Sequence, residues 1–318
     1  MKIVRSVLWA GSALFVLAAP LFLDRGLLND LWNLALAVTL ASAWNLLGGF
    51  AGQISLGYSA FLGIGAYTTV LLSLAGANPF LTLPLGALIA VIASVMIGLP
   101  AFRLRGPYFT IATIGVSEAI RVCAATASFT GGSSGVRMPP ASFNFNRNYF
   151  SMVVLAILTV ALAAYIKRSA FGRALSAIKQ DLDAAEALGV NSTKFKLAAH
   201  AISAAIVAVA GSLYAINFQY IAPSSVFDFQ LSLSVVLMPI IGGVGSVVGP
   251  VLGALVVSTL QIKLLSMPAL RDSFLFIYGG LLILVMLYEP GGLVGIGRRA
   301  LAFVGNIFRA RRGVADAG

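Results

Sequence analysis

The sequence predicts an all-α protein: a polytopic membrane helical bundle of about ten (eight to ten) crossing helices in one transmembrane domain, residues 1–318. Three observations predict it. The chain is 59% hydrophobic and only 10% charged, where soluble domains carry roughly 25% charged residues. Its mean hydropathy is +0.98, and apolar runs of bilayer length recur from end to end. Its bases are unevenly distributed between the two sides of those runs.

The runs fall at 6–23, 31–47, 58–76, 80–102, 107–127, 149–166, 196–218, 231–243, 249–267 and 273–289. The first follows Lys2 and Arg5 and reads as a retained signal-anchor. A cleaved signal peptide is the alternative, with Ala18 and Ala19 as small residues but Pro20 out of place. The eighth run is short and interrupted by Pro239. With the N-terminus inside, fifteen of the 21 Lys and Arg residues lie on inner connections and termini. Only Arg25, Arg137, Arg147 and Arg271 lie outside, while Arg121 and Lys263 fall within spans. Cytoplasmic loops of membrane proteins concentrate Lys and Arg, so both termini are expected in the cytoplasm. The net charge of +11 is thereby explained without nucleic acid.

Small residues mark two places. Gly245, Gly249 and Gly253 form a stripe at four-residue steps, and Gly48 and Gly52 a shorter one; in lipid, close backbone approach at such residues supplies helix packing. Two glycine-rich breaks, Gly48 to Gly57 after the second span and Gly242 to Pro250 after the eighth, resemble each other. Interrupted helices in corresponding halves point to a transport pathway. Ordinary turns at the membrane surface are the alternative.

No enzyme signature is present. The chain has no Gly-Lys dipeptide, hence no phosphate-cradling G-x-x-x-x-G-K-[ST] loop, and no bound cofactor is expected. One cysteine, Cys123, and one histidine, His200, exclude an internal disulfide and argue against a Cys/His metal site. Glu118 and Arg121 stand one turn apart within the fifth span. A charge at the bilayer centre costs at least about 2.5–3.5 kcal/mol on insertion scales, so the two are expected to pair, either as a structural ion pair or in gating. His200 is expected at the interface, and Lys263 to reach towards the outer surface.

The most polar stretch is residues 171–189. Leu175, Ile178, Leu182, Ala185 and Leu188 recur at three- and four-residue steps, which predicts one amphipathic helix. Arg173, Lys179, Asp181, Asp183 and Glu186 occupy its other faces. Three acids within six residues suit a protein partner better than an anionic membrane surface. A connector lying on its own bundle is the bland alternative.

Asp183-Ala184-Ala185-x3-Gly189 resembles the EAA-x3-G loop of ABC importer permeases, with Asp for Glu and without the later I-x-L-P portion. More widely, AWNLLGGFAGQISLGYSAFLGIGAYT (43–68), RGPYFTIAT (105–113) leading to Glu118, Arg121 and TGGSSG (130–135), and GGVGSVVGP (242–250) resemble permeases of branched-chain amino-acid ABC importers, the M-type (LivM-like) subunit. Ile277-Tyr278-Gly279 and Glu289-Pro290-Gly291-Gly292-Leu293 fit the same pattern, and the resemblance covers about residues 30–295.

That resemblance implies a bacterial inner-membrane importer. A second, homologous permease subunit, two cytoplasmic ATP-binding subunits and a periplasmic substrate-binding protein are its implied partners. The substrate is implied to be a branched-chain or related amino acid, with urea or aromatic acids carried by relatives. The segment 167–195 becomes the coupling region, with Arg173, Asp181, Asp183, Ala184, Ala185, Glu186 and Gly189 as coupling residues, and 291–318 a basic cytoplasmic tail. Polar and glycine positions that could line the pathway are Asn45, Gly49, Gln53, Ser55, Gly57, Thr110, Thr113, Ser117, Glu118, Arg121, Gly243 and Gly245. Two other readings remain open: a secondary carrier coupled to ions through Glu118, and a channel-forming membrane subunit.

Overall fold

Helices begin where the sequence leaves backbone N–H groups to be capped. In the computed structural model, which describes residues 19–104, 106–139 and 144–267 and isolated positions between 276 and 299, the order is α1 (Arg25–Leu47), α2 (Tyr58–Leu74), α3 (Leu83–Ala101), α4 (Pro107–Thr126), α5 (Phe145–Arg168), α6 (Ala170–Gln180), α7 (Leu182–Ala187), α8 (Ser192–Phe218), the single turn α9 (Pro223–Val226), α10 (Phe229–Gly242) and α11 (Gly249–Ser266). Polar side chains accept N-terminal N–H groups at five starts: Asn144 for α5, Ser169 for α6, Asp181 for α7, Asn191 for α8 and Asp228 for α10. The helices α3, α4 and α11 instead carry proline in the first turn, where its missing N–H costs nothing. A two-residue ribbon, β1 (Val136–Arg137) with β2 (Tyr220–Ile221), pairs antiparallel with Val136 opposite Ile221.

Among the described residues five stretches are long and apolar enough to cross a membrane: α3, α4, α5, α8 and Pro223–Gly242, which α9 and α10 make together. Two shorter apolar helices, Tyr58–Leu74 and Gly249–Leu264, accompany them. Each expected span from 31–47 to 249–267 coincides with a helix to within a few residues; those at 6–23 and 273–289 lie largely outside the described residues. On α3 the exposed residues Leu85, Leu88, Ile92, Met96 and Leu99 form one stripe, as a lipid-facing helix requires.

α8 is the central post, packed by α1, α2, α3 and α5. Its contact with α2 is backbone to backbone. A Cβ on Gly211 would sit 2.0 Å from the Leu62 carbonyl oxygen, and one on Gly65 1.9 Å from that of Ala208. Ser212 Oγ donates to the Gly65 carbonyl at 3.0 Å. The α10–α11 contact repeats the device, since a Cβ on Gly253 would sit 1.7 Å from the Met238 carbonyl oxygen. Between α2, α4 and α10, Ser59, Ser117 and Ser232 form a buried hydroxyl cluster with oxygens 2.9–3.0 Å apart. In an apolar surround such contacts replace the hydrophobic driving force that lipid removes.

The bundle has two distinct ends. Residues 48–57, 167–190 and 243–249 meet at one, where the side chains of Asn45, Lys167 and Lys179 donate to backbone carbonyls of the two glycine-rich segments. The β1–β2 ribbon, with residues 128–138, forms the other.

Replacing Gly211 or Gly253 by Leu is expected to abolish recovery of monodisperse protein in detergent, because the opposing atoms are backbone. Gly115→Ala, with nothing within 4 Å of the added methyl, is expected to leave recovery and thermal midpoint unchanged, and size-exclusion of the three variants checks both.

Candidate functional site

The two glycine-rich breaks are one structure. Asn45, fully buried near the end of α1, uses both ends of its amide across the gap. Its Nδ2 donates to the Ser246 carbonyl at 2.8 Å, and its Oδ1 accepts the Gly245 N–H at 2.9 Å. No other residue fits at Gly49, where a Cβ would lie 1.8 Å from Asn45 Oδ1. Gly245 has φ +75°, and a Cβ there would meet the Gly49 carbonyl oxygen at 2.9 Å. Gly243 is a neighbour of the 291–296 segment, since its Cβ would lie 2.9 Å from the Gly291 carbonyl oxygen.

Lysines complete this node. Lys179 Nζ, from the last turn of α6, donates to the Gly49 carbonyl at 2.9 Å. Lys167 Nζ, from the last turn of α5, donates to the Gly245 carbonyl. Three helices, α1, α5 and α6, therefore converge on the two turns.

Residues 52–57 are irregular between α1 and α2, so their backbone groups need partners outside a helix. Trp44 Nε1 donates to the Ser55 carbonyl at 2.9 Å. Thr110 Oγ1 of α4 donates to the Ile54 carbonyl at 2.7 Å, and Thr113 Oγ1 accepts the Leu56 N–H at 3.1 Å. Gln53 closes back through its own N–H to the Leu47 carbonyl at 3.4 Å. Gly57 lies where a Cβ would be 2.8 Å from the Thr113 carbonyl oxygen. Ser55, Gly57, Thr113 and Ser117 also line a cavity of about 10 Å³ with His200, room for no more than about one water.

Two expectations need correction. His200 does not lie at the interface: it is 1% exposed, ringed by Tyr58, Phe61 and Phe102 at centroid distances of 5.1–6.4 Å. α8 starts at Ser192 and places residue 200 more than two turns inside the bundle. The stretch 171–189 is two helices rather than one. Asp181 is extended (φ −153°, ψ 115°) and its carboxylate accepts the Ala184 N–H at 3.0 Å. That cap competes with continuation of the preceding helix. The break resets the helical phase, so Leu175, Ile178 and Ala185 are buried while Leu188 is 85% exposed.

α6 and α7 enclose an open cleft of about 440 Å³ lined by Arg173, Ser176, Gln180, Asp181, Ala184 and Leu188, with Ala185 at its floor. Four of the expected coupling residues, Arg173, Asp181, Ala184 and Ala185, therefore share one concave surface. Asp183 and Glu186 are exposed outside the cleft, and Glu186 accepts a hydrogen bond from Ser192 Oγ. Gly189 closes α7 at φ +85° with its N–H on the Glu186 carbonyl at 2.9 Å, a left-handed stop that favours glycine.

Glu118 and Arg121 stand apart from these clusters. They pair along α4, Arg121 Nε reaching both carboxylate oxygens at 2.9–3.0 Å, on a face where Glu118 is exposed. Among the described residues no group of three His, Cys, Asp or Glu stands close enough to hold a metal ion.

Trp44, Lys167, Lys179 and Ser246 were not singled out from the sequence as residues of the site. Their signal is positional: each adjoins a break or a helix end whose carbonyls or amides lack a helical partner. A lone tryptophan or lysine carries no such message without the fold.

Comparison with known proteins adds an independent line. The profile of the family described as "Branched-chain amino acid transport system / permease component" matches residues 26–286. The high-affinity branched-chain amino acid transport system permease protein LivM of Salmonella typhimurium is 30% identical over 91% of this chain and 75% of its own length. The probable branched-chain amino acid transport permease protein LivM of Methanocaldococcus jannaschii is 26% identical over 71% of the chain and 73% of its length. LivH of Salmonella typhimurium, a permease protein of the same named system, is 30% identical over 53% and 58% respectively. No solved structure matches. The chain belongs to the family of branched-chain amino acid transport system permease components.

Proposed function

We propose that this chain forms half of the translocation pathway of an ATP-driven importer for a branched-chain or related hydrophobic amino acid. A second permease subunit supplies the other half. Two cytoplasmic ATP-binding subunits dock at α6–α7, and a periplasmic binding protein delivers solute. The chain crosses a bacterial inner membrane with both termini in the cytoplasm, in keeping with its fifteen inner against four outer bases.

One observation carries the reading: the most polar helix pair of an otherwise apolar chain stands at the same end as both glycine breaks and is bonded to the first of them, Lys179 Nζ donating to the Gly49 carbonyl. The α6–α7 cleft is open, flanked by three carboxylates and lipped by Leu188. An apolar anchor inside a charged rim is the composition of a protein-docking surface. ATP-driven closure of the partner subunits displaces α6–α7, and the breaks, built from residues without side chains to interlock, rearrange to alternate access. Solute identity follows the names of the relatives; the binding protein chooses among solutes.

Two outcomes test this. In proteoliposomes holding both permeases, the ATP-binding subunits and the binding protein, leucine uptake is expected to require internal ATP. Uptake by this chain alone under an ion gradient would instead favour a carrier. In addition, Asp183→Lys and Leu188→Asp are expected to cut co-purification of the ATP-binding subunits by about tenfold or more, with membrane insertion unchanged. Wild-type co-purification in both variants would remove α6–α7 as the docking surface.

A further inference from the structure

The glycine breaks end in carbonyl groups that no helix can satisfy, and two lysine side chains take them. We propose that Lys179 is a positioning residue of the transport cycle, the grip through which α6 moves both breaks, with Lys167 holding the second break from the end of α5. This rests on the proposed docking of ATP-binding subunits at α6–α7, and it reaches beyond the docking motif to residues outside it.

The geometry is specific. Lys179 Nζ lies 2.9 Å from the Gly49 carbonyl oxygen and 3.3 Å from the place a Cβ on Gly245 would occupy, so one ammonium is bonded to the first turn and stands beside the second. Its stem lies along Gly52, where a Cβ would be 3.0 Å from Lys179 Cγ, on a residue with φ +73°. Any side chain at Gly52 would both strain the backbone and push the lysine off its carbonyl. Lys167 Nζ takes the Gly245 carbonyl, and Asn45 binds the N–H of the same residue and the carbonyl of the next. Gly49 and Gly245 are thus tied to each other through Asn45, and to α6 and α5 through lysines.

α6 is built to move with its neighbour as a unit. Its start is pressed on the end of α5, since a Cβ on Gly172 would lie 2.0 Å from the Ile166 carbonyl oxygen, and Leu175 and Ile178 are buried beneath it. A push delivered in the α6–α7 cleft reaches the final turn of α6, where Ile178 is buried and the Lys179 ammonium is bonded to Gly49. A charge-assisted hydrogen bond is stronger than a neutral one yet needs no fixed rotamer of the lysine, so it tolerates displacement while pulling. Both lysines are exposed residues outside the packed core, so removing the charge leaves that core intact.

The experiment uses the complete transporter in proteoliposomes, with leucine uptake and ATP hydrolysis measured together. Lys179→Met keeps the stem and removes the donor. It is expected to lower leucine carried per ATP hydrolysed by about tenfold, the scale of one lost charge-assisted hydrogen bond. The ATP-binding subunits should co-purify at the wild-type ratio with an unchanged thermal midpoint, and Lys179→Arg should restore most of the yield. A parallel measurement needs no transport: amide exchange at residues 48–53 and 243–249 in the detergent-solubilised complex is expected to quicken about tenfold in Lys179→Met and not in Lys179→Arg. A Lys179→Met transporter with wild-type yield per ATP and wild-type exchange overturns the grip. So does a variant that loses its ATP-binding subunits, because Lys179 would then be a docking group. A wild-type assembly with no ATP-driven uptake would refute the proposed function instead, while faster exchange in Lys179→Met would still support the grip.

Discussion

The rest of this structure depends on one constraint: where a helix stops inside a packed bundle, its freed N–H and C=O groups must find partners, because burial takes away the water that would otherwise serve them. The chain stops two helices, α1 and α10, at the same end, and meets the demand with a handful of side chains. Asn45 serves an N–H and a carbonyl of the far break, Lys179 and Lys167 serve one carbonyl each, and Trp44, Thr110 and Thr113 serve the irregular segment between α1 and α2. Glycine is required at Gly49 and Gly245 because those partners stand where a Cβ would be. A solution of this kind is movable, since side-chain bonds to backbone can be exchanged while a helical ladder cannot.

That constraint also explains why transport machinery sits where it does. A bundle held by glycine contacts such as Gly65 on Ala208 and Gly253 on Met238 is rigid, because backbone meets backbone. The turns are tied by side chains, the first to the polar helix pair through Lys179 and the second to the end of α5 through Lys167. On the proposed function, force applied at α6–α7 is taken up at the two breaks.

Much of the fold was legible in the sequence. Runs of apolar residues located the spans from 31 to 267 within a few residues, because in lipid a chain must satisfy its own backbone and a helix does so within one run. The two glycine breaks could be recognised as alike, and the spacing of Glu118 and Arg121 foretold their pairing. What escaped was long-range. Nothing in the local pattern brings Asn45 to Gly245, since that contact joins segments from opposite ends of the chain. The division of 171–189 at Asp181 was hidden by an apolar period that runs through it, when the aspartate's preference for capping decided the outcome. His200 was misjudged because its depth depends on where α8 begins, and Asn191, a cap two turns earlier, sets that start.

The central claim is that the glycine breaks travel with α6. It is tested most directly by electron spin resonance distances in the assembled transporter, with exposed Cys123 replaced by serine and labels at Gln180 on α6, Val244 in the second break and Phe129 at the opposite end, all three exposed. The account predicts that the 180–244 distance is the same in ATP-free and ATP-bound states while both distances to residue 129 change. A 180–244 distance that changes as much as the others would contradict it.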